Sequence, residues 1–163
     1  MEGFVLARVL HVLGVVLWIG GVALVTLVLL PAARSRGDAA EGMAWFEVIE
    51  ARFARQARWA TLITGLTGFY MLSVLDAWGR YLDPRFWWVH AMTAIWALFT
   101  VALFVLEPLW LHRALRRWSE RNPAGALRFL QGAHAVLLLL SLLTVAGAVA
   151  GSHGLRIGQV LES

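Results

Sequence analysis

Residues 9–33 read VLHVLGVVLWIGGVALVTLVLLPAA, a stretch without a single charged side chain. A membrane-spanning helix needs about 20 predominantly apolar residues, within a range of roughly 17–25, so this run is long enough to cross a bilayer. It is too long for a secretory signal, whose apolar region runs to about 7–15 residues, and Pro31-Ala32-Ala33 imitates a cleavage site only loosely.

Three further uncharged runs follow, at residues 59–75, 86–106 and 129–155. The second is the shortest and carries Thr61, Thr64 and Thr67, with Trp59 and Trp78 near its ends as interfacial anchors. Trp87 and Trp88 open the third run, and Trp110 lies just past its close. The whole chain is 60% hydrophobic and 15% charged, with a mean hydropathy of +0.71. A soluble domain of this size cannot bury that much apolar surface in one core, so the lipid bilayer is the expected partner. The reading is an all-α integral membrane protein: an antiparallel four-helix bundle of up-and-down topology, forming one domain over residues 1–163. Its helices are expected near 5–32, 58–77, 86–110 and 125–151.

Every one of the fourteen basic residues is arginine, and the net charge is +4 with a pI near 11.0. Their placement argues against nucleic acid, because they gather in loops instead of lining one face. Arg34, Arg36, Arg52, Arg55 and Arg58 lie between the first two runs, and Arg113, Arg116, Arg117, Arg121 and Arg128 between the last two. Only Arg80 and Arg85 lie between runs two and three. The excess of arginine in cytoplasmic loops then places both termini on the outer side of an inner membrane. Phe46, Ile49 and Phe53 recur at helical spacing, so residues 41–58 are expected as a cytoplasmic surface helix running into helix two. Asn122-Pro123 starts the fourth helix, since proline is tolerated in a first helical turn.

No cysteine is present, which excludes disulfides and thiolate metal sites. There is no triad, phosphate loop or nucleotide fingerprint, and hydrolase and kinase chemistry has no support. Ionisable groups inside a bilayer are costly and point to function. His11 follows Arg8 on helix one and His90 follows Arg85 on helix three, so both fall at similar depth near the outer face. In an up-and-down bundle these helices are diagonal across the core, where two imidazoles can hold the iron of a b-type haem from both sides. Gly14, Gly65, Gly68, Ala94 and Ala97 would leave room for the ring, and Arg8, Arg80, Arg85 and Arg156 lie where propionates would be. The competing reading treats His11 and His90 as interfacial residues bonded to carbonyls, headgroups or water.

His153 completes an outer set with His11 and His90 that suits copper or zinc, although Gly151, Ser152 and Gly154 around it read as a helix end. His134 and Gln131 are expected in polar contacts between helices, His112 near headgroups, and Glu107 as a helix-end carboxylate paired with an arginine. Gly147 and Gly151 have the spacing of a small-residue packing motif that also allows a homodimer.

The string from His11 through Trp18 to Gly20-Gly21, closing in Leu29-Leu30-Pro31, together with Trp88-Val89-His90, resembles the CopD-like membrane proteins and, more widely, four-helix proteins similar to cytochrome b561. That resemblance implies either haem b with electron transfer, using a quinone or an outer-side redox partner, or a link to copper handling. The chain is also similar to protoporphyrinogen oxidases of the HemJ type, whose first-helix histidine corresponds to His11. That family carries a basic residue in its third helix, and residues 86–106 here have none.

Overall fold

The computed structural model describes residues 1–154, apart from the side chains at 110–112. Among them the regular structure is all helical. Helix α1 (Glu2–Arg34) is followed by α2 (Ala39–Val74), which begins on Asp38, whose carboxylate accepts from Ala40 N at 2.9 Å. Two short 3₁₀ turns, Trp78–Leu82 and Pro84–Phe86, lead into α3 (Trp87–Val101). A π-helical segment, Ala102–Leu111, carries α3 into α4 (His112–Arg121), and α5 (Pro123–Ser152) starts on Asn122 with proline in its first turn. The expected surface helix is continuous with helix two, so α2 holds both in one rod.

Both departures from α geometry sit beside a proline. Proline has no N–H to donate and its ring presses on the preceding turn, and widening the helix by one residue is one way to absorb this. In α1 the π turn Val25–Leu29 comes just before Pro31, and Leu30 N–H bonds to Val25 O. In α3 the wide segment contains Pro108 itself.

Helices α1, α2, α3 and α5 run alternately up and down, as the contacts between their ends show. His11 meets Thr64 while Gly21 lies under the Phe53 ring, so α1 and α2 are antiparallel. Arg58 meets Glu107 while Trp96 meets Gly65, which reverses α3 against α2. Trp87 and Trp88 lie on Gly147 and Gly151, and Gln131 reaches Thr26 O, which sets α5 against α3 and α1. Glycine is required at 147 and 151 because the indole rings occupy the space a Cβ would need. Among the described residues α1 and α3 make no extended backbone contact and meet through Trp18 and Phe99, whose rings cross edge to face at 4.9 Å.

Polar side chains sit inside the bundle among apolar ones, while large apolar side chains lie on its surface. Thr61 is 0% exposed and Ser141 1%, whereas Leu66 is 70% exposed and Leu27 67%. Large apolar side chains lie over much of the outer surface of the helices, an arrangement compatible with an apolar solvent. Among the described residues three helices are long and apolar enough to cross a membrane: Glu2–Arg34, Pro84–Leu109 and Pro123–Ser152. The upper half of α2 is not among them, because Thr61, Thr64, Gly65, Thr67 and Gly68 dilute its apolar character. Two apolar clusters fill the middle: Trp18, Ile19, Val22, Ala60, Phe99 and Leu138, and, nearer the arginine-rich end, Leu30, Met43, Phe46 and Leu127 with their neighbours.

Candidate functional site

His11 faces α2. Its Nδ1 lies 2.9 Å from Thr64 O and 3.2 Å from Thr67 Oγ1. A carbonyl can only accept, and the Thr67 hydroxyl spends its own proton on Ile63 O at 2.6 Å, so Nδ1 carries the hydrogen and shares it between the two oxygens. A neutral imidazole held this way has its lone pair on Nε2. A carbonyl that fixes the tautomer and ring orientation is what a metal-ligating histidine ordinarily has behind it. Gly68 completes the seat, since a Cβ there would stand 3.2 Å from His11 Cε1.

His90 is arranged differently. It is exposed, and its Nε2 lies 3.0 Å from Tyr81 O, so this nitrogen is the donor and Nδ1 holds the lone pair. The Tyr81 ring packs edge to face on it at 5.4 Å, and Tyr81 OH bonds to Thr93 Oγ1 at 2.7 Å. A shallow cavity of about 300 Å³ adjoins His90, lined by Tyr81, Leu82, Pro84 and Trp87, and His11 is not part of it. Among the described residues no hydrogen bond or ring contact joins His11 to His90.

The other residues expected around a porphyrin mostly seat protein groups. The Trp96 indole lies on Gly65 and donates from Nε1 to Thr61 O at 2.9 Å. Gly14 faces Thr64, and Ala94 is exposed. Arg85 pairs with Asp83 at 2.7 Å, and hydrogen bonds from the Arg85 side chain and backbone hold that carboxyl below the ordinary carboxylate range. Arg80 lies over the Phe86 ring at 5.2 Å. His153 caps the end of α5, bonding Val149 O at 2.8 Å, and no group of three metal-ligating side chains occurs among the described residues. Arg156 lies outside the described residues.

A haem therefore fits the donor chemistry at His11 and does not fit at His90 as that side chain stands, since Nε2 is engaged by Tyr81 O and Trp96 fills the place over Gly65.

The opposite end of the bundle holds the arginine pairing expected of Glu107, and Arg58 is the partner. Arg58 NH2 lies 2.8 Å from Glu107 Oε1, and Arg58 Nε donates to Leu103 O at 3.2 Å. Glu107 is brought there from the π segment of α3. The pair borders a cavity of about 320 Å³ that also takes in Phe46, Glu50, Arg116 and His134. His134 Nδ1 bonds Leu130 O one turn back, at 2.9 Å. From the ion pair, Thr61, Thr64 and Thr67 continue up α2 at a spacing of three, ending on His11. That spacing is plain in the sequence, but three threonines at helical spacing also describe ordinary helix packing.

Comparison with known proteins finds no matching family model, no similar curated protein and no similar solved structure.

Proposed function

We propose that this chain is a four-helix inner-membrane protein, with both termini outside, that binds b-type haem through His11 and exchanges electrons near the outer face. The observation that carries the reading is the His11 seat: Nδ1–H committed to Thr64 O and Thr67 Oγ1, and Nε2 left with its lone pair. The three apolar helices, the arginine-rich loops and the resemblance of helix one to CopD-like and cytochrome b561-like proteins support it. The upper half of α2 is the fourth span in this reading. His90 is the second ligand proposed, and it must first release the Tyr81 carbonyl.

Bound haem would supply a one-electron centre; the chain's own residues supply its orientation. Thr64 O and Thr67 Oγ1 hold the His11 ring, and their hydrogen bonds raise the basicity of Nε2. Gly68 sets the depth at which the ring lies against α2.

Titration of the purified protein with hemin, followed by visible spectroscopy, tests this. Wild type is expected to give a low-spin spectrum with sharp, split reduced bands. His11→Ala is expected to lose it, and His90→Ala to turn it high-spin. A wild type without a low-spin spectrum, or full retention of that spectrum in both variants, overturns the reading.

A further inference from the structure

Along the helix that carries α3 through the π segment into α4, every fourth residue from Val101 onward is exposed: Val101, Val105, Leu109, Arg113, Arg117 and Arg121. The first three are apolar and the last three are arginine, so the stripe changes character once, between Leu109 and Arg113. Opposite the arginines, α4 turns Leu115, Trp118 and Ser119 toward the bundle. Ser119 is buried, Leu115 packs against the cluster that contains Phe46 and Leu127, and the Trp118 ring meets Phe129 edge to face at 5.5 Å.

That aromatic contact fixes the depth of α4. Phe129, 55% exposed, opens the uncharged run 129–155 of α5 and so marks the edge of the apolar part of the bundle. Trp118 touches it, and α4 ends beyond that edge, at the turn on Asn122. Arg113 to Arg121 spans about 12 Å of helix, while one headgroup layer is about 5–8 Å thick. The arginine stripe therefore crosses the headgroup layer, with the apolar half of the stripe on its hydrocarbon side.

The three arginines work against their own helix. Like charges four residues apart destabilise a helix, and this stripe has two such pairs in succession. Neighbouring Arg116 has Glu120 at 3.3 Å, but among the described residues Arg113, Arg117 and Arg121 have no hydrogen-bond, ion-pair or ring partner. An anion between two of the guanidiniums removes the repulsion, and guanidinium matches phosphate oxygens with paired N–H donors.

We infer that this stripe holds an anionic phospholipid, with its phosphate between Arg113 and Arg117 and an acyl chain against Leu109 and Val105. The order of residues selects a lipid over a free anion, because 69% exposed Leu109 leads directly into the basic half. A zwitterionic lipid brings its own ammonium to the arginines and is held less well. Basic residues just beyond a membrane span favour anionic headgroups by about fivefold in partition per residue.

Titration of the detergent-solubilised protein with dioctanoyl phosphatidylglycerol, followed by the thermal midpoint, tests this. Wild type is expected to gain several degrees. Dioctanoyl phosphatidylethanolamine, or glycerol phosphate without acyl chains, should give less than half that gain at the same concentration. Arg113→Gln/Arg117→Gln should need at least tenfold more phosphatidylglycerol for the same shift. It should be no less stable than wild type in lipid-free detergent, since it relieves repulsion on an exposed face. Arg34→Gln/Arg52→Gln removes the same charge from other exposed positions at that end of the bundle and should stay within twofold of wild type. An equal gain from phosphatidylethanolamine or from glycerol phosphate overturns the inference, as does an Arg113→Gln/Arg117→Gln protein that responds like wild type.

Discussion

Removing the carboxylate of Glu107 isolates Arg58 inside the bundle, and the cost follows from the local geometry. The two side chains are 25% and 32% exposed and lie 2.8 Å apart. Breaking a fully buried pair costs about 3–5 kcal/mol and an exposed one about 0–1, so partial exposure sets Glu107→Gln at about 2 kcal/mol. Arg58 would keep its bond to Leu103 O, at 3.2 Å. In a chain of this size each kcal/mol moves a thermal midpoint by about 2–4 °C, which gives a loss of about 4–8 °C in mild detergent. Arg58→Gln should lose a similar amount. The decisive variant is Arg58→Met/Glu107→Leu, which removes both charges together and should recover at least half of either single loss, because no unpaired charge remains. A Glu107→Gln midpoint within a degree or so of wild type, or a double variant that loses the sum of both singles, would show that the pair is not coupled as its geometry requires.

Gly151→Val should lower the midpoint by roughly 1–3 kcal/mol worth of stability, because the Trp88 ring lies where the new side chain must go. The check is a paired Gly79→Val, which meets nothing within 4 Å and should leave the midpoint unchanged. Leu127→Ala, at a site 1% exposed beneath Phe46 and Leu30, should cost about 2–5 kcal/mol in chemical denaturation. Because the chain has no cysteine, single-cysteine variants report topology without background. Gly37→Cys, in the loop between α1 and α2, should resist a membrane-impermeant thiol reagent in intact cells, and Gly79→Cys, beyond α2, should react. The opposite pattern would invert the orientation that the arginine distribution implies.

The uncharged runs, the tryptophans beside them and the arginine-rich loops made the helices readable before any coordinates, because a bilayer demands long apolar segments that satisfy their own backbone. The start of α5 at Pro123 and the helical stretch ahead of helix two were equally legible from turn chemistry and apolar spacing. His11 was visible as an ionisable group in an apolar run, and Glu107 as an acid at a helix end needing an arginine.

What a chain of letters does not encode is the rotation of each helix about its axis. That rotation points His11 at the Thr64 carbonyl and sends His90 to Tyr81 O. It puts Trp96 over Gly65, where the sequence alone left room for a ring. It also brings Glu107 to Arg58 through a π segment, and frees two threonine hydroxyls that local propensity would have bonded to their own helix. Composition and periodicity set which segments are helical, because those are sums over neighbouring residues. Which side chains meet is settled by packing between helices, where one bulky indole or one missing Cβ decides the outcome.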